Sequence, residues 1–173
     1  MKNKVILIGY RACGKTTIGR ELAKRLNWEF FDLDDVIQKK EGKSISEMVK
    51  TFGWEYFRKL EKETLKEFVG KKEVVLAPGG GAVMHEDIMK ELKAESFVVW
   101  LWAPVEVIIE RLEKDKKTNF QRPSLTNLGL KEEVEEVLKK RIPLYERFSH
   151  LKIDTASFSV EEAVSQILNS IKK

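Results

Sequence analysis

Residues 5–17 read V-I-L-I-G-Y-R-A-C-G-K-T-T. The spacing of Gly9, Gly14, Lys15 and Thr16 is G-x-x-x-x-G-K-[ST], the pattern of a phosphate-binding loop. Each part has its own job. The glycines let successive backbone N–H groups turn inward around an anion, and Lys15 reaches the β- and γ-phosphates. Thr16 offers a hydroxyl to Mg²⁺, and the helix starting there points its positive end at the phosphates. Four fixed positions match by chance in about 1% of chains this long at average residue usage, so the context has to agree. It does: a β-branched run precedes the loop, and Ile18, Leu22 and Leu26 follow at helical spacing. A glycine turn with a surface lysine explains that context poorly. The stretch predicts a nucleoside-triphosphate site.

Outward from the loop, apolar strand candidates recur at Val5–Ile8, Glu29–Phe31, Val74–Ala77, Phe97–Trp102 and Leu151–Ile153. Helical patterns fall between them, over Lys15–Leu26, Asp35–Glu41, Ser44–Phe52, Trp54–Val69, Glu86–Leu92, Val105–Glu113, Lys131–Arg147 and Val160–Ile171. Alternating strands and helices predict an α/β fold, a parallel sheet covered on both faces, with ligands at the carboxyl ends of the strands. Ser44 with Glu47, and Ser159 with Glu162, have capping-box spacing. Residues 114–129 break the pattern: polar, without apolar periodicity, and carrying Arg122-Pro123. A loop of that length in a phosphate-handling protein is expected to be an active-site lid.

Composition narrows the class. The 173 residues are 42% hydrophobic and 35% charged, which fits one globular domain spanning 1–173. A net charge of +4, spread along the chain, leaves no nucleic-acid footprint. The single cysteine, Cys13, excludes an internal disulfide and a cysteine zinc cluster. No apolar run is long enough to span a bilayer. A cytoplasmic monomer without nucleic-acid or membrane partners is the expectation.

Three further groups could carry chemistry. Asp32 and Asp34, two apart at the end of the second strand, would share one face if the strand continued through them. They would then supply a metal carboxylate and a proton acceptor, while Asp35 caps the following helix. Pro78-Gly79-Gly80-Gly81 follows the third strand, and three consecutive glycines lose so much backbone entropy that close approach to a ligand is the better explanation. Only 8 of the 32 basic residues are arginine. Arg11 lies in the loop, Arg58 sits among aromatics with Trp54 one turn before it, Arg122 is in the lid, and Arg141 precedes Pro143. Each alone reads as a surface charge; together they read as clamps for anions. His85, His150, Trp100 and Trp102 read as structural. Alkylation of Cys13 is expected to block nucleotide binding.

The ordered set resembles the shikimate kinase family. The likeness is carried by G-Y-R-A-C-G-K-T-T-I-G, by D-L-D with R-K-L-E, and by G-G-G-A-V, and is extended by R-P-S-L and K-R-I-P-L-Y. It implies a three-layer α/β sandwich with a five-stranded parallel sheet, similar to nucleoside-monophosphate kinases, with a helical substrate-binding segment over about 33–61. The implied reaction moves the γ-phosphate of ATP to the 3-hydroxyl of shikimate, with Mg²⁺ as cofactor. On this chain the resemblance implies ATP contacts from Arg11, Ala12, Cys13, Gly14, Lys15, Thr16, Thr17, Arg111 and Arg122, with Arg111 near adenine. Thr16 and Asp32 would serve the metal. Asp34 would grip the substrate hydroxyls, and Arg58, Arg141 and the Gly79, Gly80 and Gly81 backbone would hold its carboxylate. Lys15, Asp34 and Arg122 would act on the reacting groups. Ala12-Cys13 departs from the family's commoner glycine-alanine or serine pairs. The rival readings are another small-substrate kinase, gluconate-type or nucleotide, and a nucleotide-gated module. An N-K-x-D segment, which guanine-specific switches usually carry, does not occur.

Overall fold

The computed structural model describes residues 2–115 and 129–173. Five strands, β1 (Lys4–Ile8), β2 (Glu29–Asp32), β3 (Val74–Ala77), β4 (Phe97–Trp102) and β5 (Leu151–Asp154), form one parallel sheet in the order β2-β3-β1-β4-β5. The central strands β1 and β3 are buried at every residue, which is why they read as continuous apolar runs rather than as alternating ones.

Helices cover both faces, as the register proves. Leu7 pairs with Val99, and Ile8 with Trp100, so Leu7 and Trp100 point to opposite sides of the sheet. Leu7 faces α1 (Lys15–Leu26), where a Cβ on Gly19 would overlap the Phe30 ring and lie 3.2 Å from the Leu7 side chain. Trp100 stacks on Tyr145 of the long helix Leu130–Phe148. Three layers result.

The remaining helices are α2 (Leu33–Glu41), α3 (Ile45–Phe52), α4 (Trp54–Lys66), α5 (Glu86–Glu95) and α6 (Val105–Lys114). The long helix is α7, and α8 (Val160–Ile171) closes the chain beside α1. A short 3₁₀ turn, Ala82–Met84, links the triple glycine to α5. Ser159 and Glu162 form the full reciprocal capping box, whereas Ser44 accepts only from the Glu47 amide. Helix α4 ends three residues before the expected Val69. There the chain tightens into i→i−3 hydrogen bonds through Val69 and reverses at Gly70, whose φ is 80°.

No described helix is long and apolar enough to cross a membrane. The expected lid, 114–129, and Arg122 within it fall mostly outside the described residues.

Candidate active site

The phosphate loop joins the carboxyl end of β1 to α1. Gly9, at φ 149°, passes so close to β4 that a Cβ there would overlap the Leu101 carbonyl oxygen; Gly14 lies at φ 87°. Lys15 Nζ donates to the carbonyls of Gly9 and Tyr10, at 2.6 and 2.9 Å, and so lies folded over the loop. No side chain caps α1, and Gly14 to Thr17 at its start line the cavity. Arg111 braces the loop from α6: Nη1 donates to the Ala12 carbonyl and to Thr155 Oγ1, and Nη2 to the Thr155 carbonyl, each at 3.0 Å. Cys13 is only 1% exposed, and burial pushes its thiol pKa up despite Lys15 and Arg111 nearby. A thiol in that state reacts slowly, so alkylating it would require the loop to open.

The D-x-D pair differs from the sequence expectation. The strand ends at Asp32, and Asp34 belongs to the first turn of α2. The cap is Asp32 rather than Asp35: its Oδ1 accepts from the amides of Asp34 and Asp35 at 2.9 and 3.3 Å. Helix-start donors need a partner, and an aspartate at the end of a strand meets that need before the strand can continue. The other oxygen, Oδ2, accepts from Thr16 Oγ1 at 3.3 Å. A hydroxyl and a carboxylate thus meet at the start of α1. Such hard oxygens are the donor type that suits Mg²⁺. Among the described residues, no group of three or more His, Cys, Asp or Glu is arranged to hold a metal ion.

The triple glycine is where Asp34, Arg58 and Arg141 come together. A Cβ on Gly79 would stand 3.1 Å from Asp34 Oδ1, one on Gly80 would stand 3.1 Å from Arg141 Nη1, and one on Gly81 would lie 2.6 Å from Arg58 Cζ. None of the three has positive φ. At Gly81 the Arg58 guanidinium occupies the space a Cβ would fill, and at Gly79 and Gly80 a Cβ would crowd the neighbouring side chain. Arg58 Cζ lies 5.3 Å from the Trp54 ring, as the helical spacing predicted, and Arg58 Nη1 donates to Glu61 at 2.8 Å. Arg141, 7% exposed, lies 5.8 Å from the Tyr10 ring. Tyr145 Oη donates to the Gly80 carbonyl at 2.7 Å, and burial raises its pKa so that the hydroxyl keeps its proton.

A cavity of about 330 Å³ joins the two halves. Arg11 through Thr17, Asp32, Asp34, Gly79 and Gly80 all line it. Arg58, Gly81, Arg111 and Arg141 do not line it: Arg141 packs against Gly80, Arg58 against Gly81, and Arg111 braces the loop from behind. Sequence reasoning assigned no role to Glu61, His85 as a partner, or Tyr145. Two were within reach: Glu61 lies three residues after Arg58 and Tyr145 four after Arg141, both helical contact spacings.

Known proteins match this arrangement along nearly the whole chain. The Shikimate kinase family model matches residues 11–172. A shikimate kinase of Syntrophus aciditrophicus is 40% identical over 172 residues, covering 95% of this chain and 88% of that protein. One from Thermodesulfovibrio yellowstonii is 39% identical, covering 100% and 96%. The structure of an Acinetobacter baumannii shikimate kinase in complex with shikimate superposes with a TM-score of 0.89 at 34% identity, covering 99% of this chain and 93% of that one. The chain belongs to the shikimate kinase family.

Proposed function

We infer that this protein transfers the γ-phosphate of ATP to the 3-hydroxyl of shikimate, giving shikimate 3-phosphate and ADP on the route to chorismate and the aromatic amino acids. The observation that carries this reading is the meeting of Asp34, Arg141 and Arg58 on three successive glycines beside a phosphate loop. Shikimate is a small hydroxylated ring with one carboxylate. It calls for a cationic clamp at one end and a carboxylate acceptor at the other.

Each residue then has a task. Lys15 and the amides from Gly14 to Thr17 hold the β- and γ-phosphates, with Arg11 and Arg122 as further cations toward them. Arg111 supports the loop and the nucleotide base beyond it. Arg58 and Arg141 bind the carboxylate, and Asp34 orients the ring hydroxyls. As the 3-hydroxyl oxygen bonds to the γ-phosphorus, its proton passes to Asp34 and the bond to the β-phosphate oxygen breaks, releasing ADP. Thr16 and Asp32 are the residues that would hold Mg²⁺, which would neutralise phosphate charge when bound. In phosphoryl transfer, positioning and charge neutralisation supply most of the acceleration. A cytoplasmic location and a monomeric state complete the proposal.

A coupled ADP-release assay comparing shikimate, gluconate and nucleoside monophosphates tests it. Turnover with shikimate at least a hundredfold above the others is expected. A preference for gluconate or a nucleotide would overturn the acceptor assignment, and ATP turnover that no acceptor stimulates would point to a nucleotide-gated module.

A further inference from the structure

Glu61 is fully buried on α4, and a single oxygen does its work: Oε1 accepts from Arg58 Nη1 at 2.8 Å and meets His85 Nε2 at 2.9 Å. Its second oxygen is buried and has no hydrogen bond among the described residues. Since a carboxylate only accepts, the His85 tautomer that completes the contact carries its proton on Nε2. His85 is itself held at both main-chain ends. Its amide donates to the Ala82 carbonyl and its carbonyl accepts from the Met89 amide, each at 3.0 Å. Its side chain is 12% exposed.

These contacts close a ring. From Gly81 the chain runs through the 3₁₀ turn to His85, across to Glu61, along one turn of α4 to Arg58, and back onto Gly81, where the guanidinium fills the space of the missing side chain. Arg58 and Glu61 share a helix, so their bond alone leaves both side chains free to turn together. A donor fixed on a different element removes that freedom. We propose that His85 is a positioning residue for acceptor binding: it anchors Glu61, which sets the angle at which Arg58 meets the substrate carboxylate. The proposal rests on Arg58 being part of the acceptor clamp.

Steady-state kinetics and the melting temperature of the full chain test it, in His85→Leu, His85→Gln and, as the control, Arg58→Lys. Leucine removes the donor. Glutamine places an amide N–H near the position of Nε2. His85→Leu is expected to raise KM for shikimate about tenfold, with KM for ATP within twofold and kcat little changed, and His85→Gln to recover most of the loss. If leucine prevents folding, His85→Asn, too short to reach Oε1, takes its place with the same expectation. An unchanged KM for shikimate, an equal rise in both KM values, or a glutamine variant no better than leucine overturns the proposal. So does a lowered melting temperature with normal substrate affinity, which would make His85 a plain structural tie. If Arg58→Lys also leaves KM for shikimate unchanged, the clamp assignment itself has failed.

Discussion

Gly9 and Gly14 hold backbone at φ 149° and 87°, and Gly9 also passes within overlap distance of the Leu101 carbonyl. Gly79, Gly80 and Gly81, across the cavity, have ordinary φ, and each one's missing side chain makes room for Asp34, Arg141 or Arg58. The first turn needs glycine for the path of its own main chain; the second needs it for its neighbours. A substitution in the first turn should therefore damage backbone and stability. One in the second should displace a functional side chain and leave the fold largely intact.

The largest effect that sharpens this contrast is expected at Asp34. Asp34→Asn should lower kcat at least a hundredfold, in line with loss of a proton acceptor, with ATP affinity within threefold by titration. A matching loss of ATP affinity would mean the two halves are not separable. Next is Gly81→Ala, whose methyl group would stand 2.6 Å from Arg58 Cζ. We expect KM for shikimate to rise tenfold or more with a melting temperature within a few degrees of wild type, and a collapse in melting temperature would place this turn in the same class as the first.

Ala12→Gly should act in the opposite sense. Ala12 sits at φ 60° in the phosphate loop, a conformation that costs a side-chain-bearing residue about 1–2 kcal/mol. Glycine relieves that strain but adds about 0.4–1 kcal/mol of unfolded-state entropy. A net gain of up to about 1 kcal/mol in chemical unfolding is expected, without change in KM for shikimate. The smallest effect is at Cys13. Burial keeps its thiolate scarce at neutral pH, so a thiol reagent should modify the native protein orders of magnitude more slowly than the unfolded chain. Rapid stoichiometric labelling would show that the loop opens readily.

The sequence was most legible where the determinants are local. The run Val5–Ile8, the loop and α1 lie in consecutive residues, and motif, strand and helix all appear where the spacing puts them. The five strands were found to within one residue at each end; burial on both faces leaves continuous apolar runs in β1, β3 and β4, while the edge strands β2 and β5 are only partly buried. Legibility fell where a side chain had two possible tasks. Asp32 was free to extend a strand or to cap a helix, and only the amides of Asp34 and Asp35 decided between them. The glycine triplet was recognised as a close approach, but what approaches are protein side chains from α2, α4 and α7, elements far apart in the chain. His85 was unreadable for the same reason. Its partner lies 24 residues away on another helix, and no periodicity links them.

Asp32 stands between the two halves. One of its oxygens ties down the first turn of α2, which carries Asp34, while the other faces Thr16 at the mouth of α1. A single side chain therefore joins the start of α1 to the first turn of α2. Loss of that carboxylate would at once uncap α2 and strip the Thr16 hydroxyl of its acceptor.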